Sequence, residues 1–216
     1  MCGRYTITKK KSQIENDLNI KADEDFIENY NIAPTNYMPV ITNEDSNKIN
    51  LLHWGLIPYW AKDKKIANKL INSRSETIFK KPSFKDAIRK RRCCIIADGY
   101  YEWKSEINYK QPYYIHFNDH KIFMFAGIWE KWEGNNGEKI NSFSIITKKA
   151  KGTLARVHNR SPIILDKALK NAWLSNLNEE QINKISQNNL EDDLTFYAVS
   201  KSVNSTQNNH RELINS

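Results

Sequence analysis

Two short strand-like runs stand side by side in the sequence CCIIADGYYEWK, residues 93–104. Cys93–Ala97 is a continuous apolar run and Tyr100–Lys104 is rich in aromatic side chains, with the turn residues Asp98 and Gly99 between them. Runs of this length and composition are typical of β-strands. Further strands of the same kind are predicted outward from this pair, at Leu51–Gly55, Pro112–Phe117, Ile122–Trp129 and Phe143–Thr147.

Helices are predicted around these strands. Ile14 and Leu18 lie four residues apart within Lys10–Asn19, which puts them on one face of a helix. Asp166 has the residue type that caps a helix N-terminus. The other predicted helices are Ser83–Lys90, Asp166–Ser175 and Asn178–Gln187. Short strands with helices inserted between them predict an α+β fold, a single domain with a mostly antiparallel, barrel-like β core flanked by helices.

Composition narrows the classes of protein to consider. The 216 residues carry 33 Lys and Arg against 25 Asp and Glu, a net charge of +8 that suits a polyanionic partner. With 39% hydrophobic and 27% charged residues, the chain is predicted to be globular, and no apolar run is long enough to cross a bilayer. No signal peptide is visible, and the three cysteines cannot form a secreted disulfide framework. We therefore expect a monomeric cytoplasmic protein without membrane contact.

The cysteine at position 2 is the first residue with unusual chemistry. Removal of Met1 would expose an α-amine of pKa about 8 beside a thiol of pKa about 8.5. Such an amine can act as the base for its own thiol, as in N-terminal nucleophile hydrolases. It can also capture an aldehyde as an imine, which the thiol then closes into a thiazolidine ring. A cysteine of no function in a frayed N-terminus is the alternative interpretation.

Seven segments of the chain together resemble one protein family. They are MCGRY (1–5), NIAP (31–34), HWGLIPYWA (53–61), NSRSET (72–77), CIIADGYYEW (94–103), FAGIWE (125–130) and HNRSPIIL (158–165). In this order they resemble the SRAP family, the SOS response-associated peptidases, which process abasic sites in single-stranded DNA. The resemblance implies an SRAP-like domain over residues 2–204, and the polar residues 205–216 are expected to form a flexible tail.

The resemblance also implies a covalent reaction and the residues that carry it out. Cys2, with Met1 removed, would link through its amine and thiol to the ring-opened aldehyde of an abasic deoxyribose. Asn72 resembles the family residue that orients the sugar, and Glu102 the one that shuttles protons. His158 resembles the residue that positions the opened sugar and assists formation or reversal of the crosslink. Associated β-elimination (lyase) activity and N-terminal self-processing are implied as well.

The residue types fit this chemistry independently of the resemblance. A carboxyl group whose pKa is raised by burial can protonate a departing hydroxyl. Histidine can donate and accept protons near neutrality, and an asparagine side chain can hold a hydroxyl without carrying charge. The alternatives are ordinary ones, a solvent-facing Glu102 on a strand and a structural His158. No Cys/His cluster indicates a metal, and no cofactor is expected.

DNA binding requires cations for phosphates and flat surfaces for bases. The candidate phosphate ligands are Arg4 and Arg74. Tyr59 and Trp60 are candidates for stacking, with Pro34 as a second wall, although the family commonly has two tryptophans where this chain has Tyr59 and Trp60. An arginine that some relatives carry downstream of NSRSET is absent, and the residues that would replace it are Lys80, Lys81 and Lys85.

Some conspicuous residues are interpreted as structural. The basic run 89–92 is predicted to be a solvated face, and the adjacent cysteines to be a small buried pair. Three tryptophans are predicted to lie in the core: Trp129, Trp132 and Trp173.

Two other functions remain open at this point. One is an N-terminal cysteine peptidase in which the amine of Cys2 activates its thiol, with Asn72 or a backbone amide as the oxyanion donor. The other is a non-catalytic module that binds single-stranded DNA, for which net charge and aromatic residues would suffice.

Overall fold

A computed structural model describes residues 2–216 and contains fourteen β-strands over that range. In chain order they are β1 (Arg4–Ile7), β2 (Lys21–Ala22), β3 (Asn29–Ile32), β4 (Tyr37–Thr42), β5 (Lys48–Trp54), β6 (Asn72–Arg74), β7 (Arg92–Ala97), β8 (Gly99–Ser105), β9 (Lys110–Phe117), β10 (Phe123–Glu133), β11 (Lys139–Lys149), β12 (Arg160–Pro162), β13 (Ile164–Leu165) and β14 (Leu194–Ala198). Each of the six predicted strands is present, and most extend further than predicted.

Five of these strands close into a barrel. The antiparallel ladder runs β11–β10–β7–β4–β5, and β5 then pairs with β11 in parallel, Ser142 opposite His53 and Phe143 opposite Trp54. This parallel pairing joins the two ends of the ladder, so the sheet has no free edge there. The predicted α+β fold with a mostly antiparallel, barrel-like core is confirmed.

A second sheet, antiparallel throughout, has the strand order β14–β9–β8–β1–β3. The chain passes from the barrel to this sheet at Asp98 and Gly99, between β7 and β8. The two runs that opened the sequence analysis therefore belong to different sheets. A side chain at Gly99 would overlap the ring of Tyr114, so the crossing needs a residue without a Cβ.

Four helices cover the sheets. They are α1 (Lys11–Leu18), α2 (Lys85–Lys90), α3 (Lys167–Leu174) and α4 (Glu179–Ser186), close to their predicted positions. Asp166 caps α3 as expected, its carboxylate accepting a hydrogen bond of 2.8 Å from the Leu169 amide. Among residues 2–216, no helix is long and apolar enough to cross a membrane.

The core contains the aromatic residues that the sequence assigns to it. Trp129, Trp132 and Trp173 are all buried, and the Trp173 indole donates to the Cys93 carbonyl at 3.0 Å. Cys93 and Cys94 are buried free thiols in β7, as predicted.

The basic run 89–92 is only partly the predicted solvated face, because Arg89 and Lys90 are exposed whereas Arg92 is buried. Arg92 is only 1% exposed, and its guanidinium donates to the carbonyls of Ile88, Arg89, Trp173 and Ser175. It thereby satisfies carbonyl groups at the ends of two helices, which water would otherwise have to solvate.

The C-terminal segment, residues 200–216, packs against the second sheet, and the flexibility expected of residues 205–216 stays a prediction. Val203 and Leu213 are buried, and the Tyr197 hydroxyl donates to the Ile214 carbonyl at 2.5 Å. The Asn31 amide donates to three carbonyls of the segment, those of Val203, Ser205 and Asn208. Two apolar anchors and a buried asparagine 172–177 residues away thus hold a segment whose composition is mainly polar.

Candidate active site

Cys2 lies where the second sheet meets the barrel. It directly precedes β1, and the next residues of that strand pack onto both sheets: Tyr5 pairs with Tyr100 and makes edge contacts with Trp54 and Phe125, ring centroids 5.1 and 5.6 Å apart. The Cys2 side chain is buried. Burial, and secondarily the nearby Glu102 carboxylate, raises the pKa of the Cys2 thiol well above its ordinary value. The thiol is therefore held protonated.

Asn72 connects a strand paired with the barrel to Cys2. It begins β6, which is held in parallel to β11 with Asn72 opposite Ile145. Its side-chain amide donates to the Cys2 carbonyl at 2.8 Å. The amide oxygen is buried and, within residues 2–216, makes no hydrogen bond, so it can accept one from a ligand hydroxyl.

Glu102 approaches from β8, the strand that pairs with β1. Its side chain faces inward and is only 2% exposed, which rejects the interpretation of a solvent-facing glutamate. Burial raises the pKa of Glu102 from 4.5 to about 7. A carboxyl group with this pKa exchanges protons readily near neutrality, which is the property required of a general acid and base.

His158 completes the group of four. It lies between a 3-10 helix, Leu154–Arg156, and β12, and its Nε2 is 4.0 Å from Oε2 of Glu102. Its Nδ1 is 3.0 Å from the Arg160 amide nitrogen and 3.3 Å from the Arg160 carbonyl oxygen, so the neutral ring can accept from the amide or donate to the carbonyl. Burial lowers the pKa of His158, which favours that neutral form. The four predicted reaction residues thus come together from four separate parts of the chain.

Arg4 is a cation inside the site. It is half-buried, and burial lowers the pKa of its guanidinium. Its Nη1 donates to the Gly3 carbonyl at 3.1 Å, and within the described part of the chain no carboxylate pairs with it. An anion bound here would compensate the cost of burying this charge.

The other predicted DNA ligands are exposed or half-buried. Arg74, two residues after Asn72, is exposed at the end of β6. Tyr59 and Trp60 are 57% and 48% exposed after the buried Pro58, large aromatic surfaces of the kind that stack on bases. Pro34 is half-buried in the loop between β3 and β4, which is tied to the barrel by the Thr35 amide, 2.9 Å from the Trp54 carbonyl.

The replacement lysines lie between β6 and the first residue of α2, which is Lys85. Lys80, Lys81 and Lys85 are all exposed, and in the described residues none of them forms an ion pair. Their part in phosphate binding stays a prediction.

Two supporting interactions were not found by sequence reasoning. Asp98 is buried and accepts hydrogen bonds of 2.6–2.8 Å from Thr6 and Thr8, which fixes β1, and with it Cys2, beside β8. Arg160 forms a two-pronged ion pair with Glu76 at 2.6 and 3.0 Å, which ties the His158 segment to the segment after β6. Asp98 and Arg160 both lie in motifs quoted above. Their partners are 84–92 residues away in the chain, so no local sequence pattern indicates these two interactions.

Within residues 2–216, no three side chains of His, Cys, Asp or Glu come together as a metal site.

Comparisons with known proteins agree with this geometry. A family model described as SOS response associated peptidase (SRAP) matches residues 1–206. The Bacillus subtilis (strain 168) "Abasic site processing protein YoqW" is 38% identical over 223 aligned positions, covering 100% of both chains. The Rattus norvegicus "Abasic site processing protein HMCES" is 31% identical, over 88% of this chain and 65% of that protein. A crystal structure of a Bacteroides thetaiotaomicron protein superposes with a TM-score of 0.90 over 99% of each chain, at 27% identity. Because sequence and fold both match over nearly its whole length, the chain belongs to the SRAP family.

Proposed function

We propose that this protein recognises abasic sites in single-stranded DNA and links to them covalently through Cys2 once Met1 has been removed, which protects the lesion. The observation that carries the proposal is the convergence of Cys2, Asn72, Glu102 and His158 on one buried point beside the half-buried Arg4. Relatives named for abasic site processing, at 31–38% identity, support the choice of substrate.

The proposed reaction proceeds in two stages. The neutral α-amine of Cys2 adds to the C1′ aldehyde of the ring-opened sugar, and the resulting hydroxyl leaves as water when Glu102 supplies a proton. The thiol then adds to the imine carbon while its proton passes to the nitrogen, which closes a five-membered thiazolidine. One water is lost overall. Because the pKa of the thiol is raised, the amine is the first nucleophile and the thiol acts only after the imine has formed.

The same imine explains an accompanying lyase activity. An iminium group acidifies the adjacent C2′ proton, and loss of that proton expels the 3′ phosphate by β-elimination. Glu102, whose carboxylate acts electrostatically on the Cys2 thiol, is in its ionised form the proposed base for this step. Ring closure by the thiol competes with elimination, so an efficient thiol protects the strand from cleavage.

The peptidase alternative has less support in the geometry. A nucleophilic thiol is needed as its thiolate, whereas burial holds the Cys2 thiol protonated. The Asn72 amide is bonded to the carbonyl of Cys2 itself, while removal of Met1 would require stabilisation of the preceding carbonyl. Self-processing at Met1 is therefore kept separate from the proposed reaction with DNA.

The test is intact-mass analysis of the processed protein after reaction with an abasic single-stranded oligonucleotide. We expect one adduct with the mass of protein plus oligonucleotide minus one water. Cys2→Ala retains the amine, so it should give an imine that borohydride traps and should nick the strand, without forming a stable adduct.

The control is protein that retains Met1, in which the nitrogen of Cys2 is an amide. It should bind the oligonucleotide and form no adduct. Equal crosslinking by this protein would show that the aminothiol mechanism is wrong. Peptide hydrolysis by the processed protein, with no adduct to the oligonucleotide, would favour the alternative function.

A further inference from the structure

A groove lined by lysines and by Trp60 lies in the segment that leads along the chain to Asn72. It has a volume of about 320 Å³, and its lining includes Trp60, Lys62, Lys65, Ile66 and Lys69. It is formed by the loop after β5 and the 3-10 helix Lys64–Lys69. The reaction with the abasic sugar, as described above, uses none of these lysines.

The groove has a fixed shape. The indole of Trp132 donates to the Ala61 carbonyl at 2.7 Å, which anchors the loop to the barrel. The Asp63 carboxylate accepts from the Lys65 amide at 2.9 Å and so caps the 3-10 helix. At the far end, the indole of Trp54 donates to the Ile71 carbonyl at 3.0 Å. These bonds fix the backbone that carries the aromatic ring and the lysines before any ligand binds.

The charge of the groove is uncompensated. Lys64, outside the lining, is engaged by Glu138 at 2.8 Å. In the part of the chain that the structure describes, Lys62, Lys65 and Lys69 are exposed and form no ion pair. The one carboxylate in the lining, that of Asp63, serves as a helix cap, so three ammonium groups face a single acid. A polyanion is the complementary ligand.

One end of the groove is close in the chain to a reacting residue. Lys69 is three residues before Asn72, at most about 10 Å along the chain. We propose that the groove binds the nucleotides next to the abasic site on one side, a base stacking on Trp60 while Lys62, Lys65 and Lys69 contact the phosphates. The inference rests on the proposed function for its ligand, and it adds a directional binding path for single-stranded DNA.

The experiment uses oligonucleotides that carry a tetrahydrofuran abasic analogue, which has no aldehyde and therefore measures binding without crosslinking. Two series are shortened stepwise, one on the 5′ side and one on the 3′ side of the analogue. The double variant Lys62→Ala/Lys65→Ala is compared with Lys121→Ala/Lys167→Ala, which removes equal charge from exposed lysines that line a different cavity.

We expect the groove variant to lose about 5- to 10-fold in affinity for the full-length oligonucleotide, with the salt slope reduced by roughly 1 to 1.5. The loss should disappear when one particular side is shortened, and it should persist in the other series. An equal loss in the control variant, or a loss independent of length in both series, would overturn the inference. Crosslinking of an aldehyde oligonucleotide by the groove variant at saturating DNA should proceed at the unaltered rate, which separates failure of the groove from failure of the reaction.

Discussion

Replacing Glu102 by Gln should stabilise the protein and inactivate it at the same time. The side chain is 2% exposed, and burial raises its pKa from 4.5 to about 7. The folded state therefore binds this proton more tightly than the unfolded state does. The contribution of this proton to the free energy of unfolding is fully present below pH 4.5 and is lost progressively as the pH rises through 7.

The size of the effect follows from the two pKa values. Each unit of difference corresponds to about 1.4 kcal/mol, so Glu102 should lower the free energy of unfolding by roughly 2–3 kcal/mol between pH 5 and pH 8. Glutamine has the same shape and no charge to desolvate. The stability gained by Glu102→Gln should thus be small at pH 5 and rise to the full amount at pH 8.

Urea unfolding of both proteins at pH 5, 6, 7 and 8 measures this difference. Glu24→Gln, which removes an exposed carboxyl group, is the control for the loss of one negative charge. The reasoning is refuted if the gain from Glu102→Gln is the same at pH 5 and pH 8. In parallel, crosslinking by the variant should slow about 10²–10⁴-fold, because the proton for the departing hydroxyl is missing.

Other substitutions test the remaining parts of the site and fold. Arg74→Ala should weaken binding of single-stranded DNA and reduce the salt slope by about 0.7, whereas an unchanged slope would exclude a phosphate contact. Trp60→Ala should cost roughly 1–3 kcal/mol in binding by fluorescence anisotropy if a base stacks there. Asn72→Ala should slow crosslinking through lost positioning without moving its pH profile, and a shifted profile would assign Asn72 to proton transfer. His158→Ala should alter the rates of crosslink formation and reversal, measured by quenched time courses, while the Kd for DNA stays constant. Leu213→Ala should lower the free energy of unfolding by about 2–5 kcal/mol and expose the C-terminal segment to limited proteolysis, since Leu213 is 1% exposed.

The sequence alone determined the elements and the chemistry of this protein. Strands such as Cys93–Ala97 and helices such as α3 were predicted because apolar runs, turn residues and caps act over a few neighbouring positions. The family was recognised from motifs, and with it the four residues that the structure brings together.

Tertiary structure decided what depends on partners distant in the chain. The parallel pairing of β5 with β11 closes the barrel, and no local pattern encodes a contact across about 90 residues. Arg92 is buried because its guanidinium binds backbone carbonyl groups, and Leu213 is buried because it packs against the second sheet. The neighbours of both residues in the sequence are polar. The pKa of Glu102 has the same origin, because burial of its carboxyl group in the folded protein is the largest cause of its rise from 4.5 to about 7.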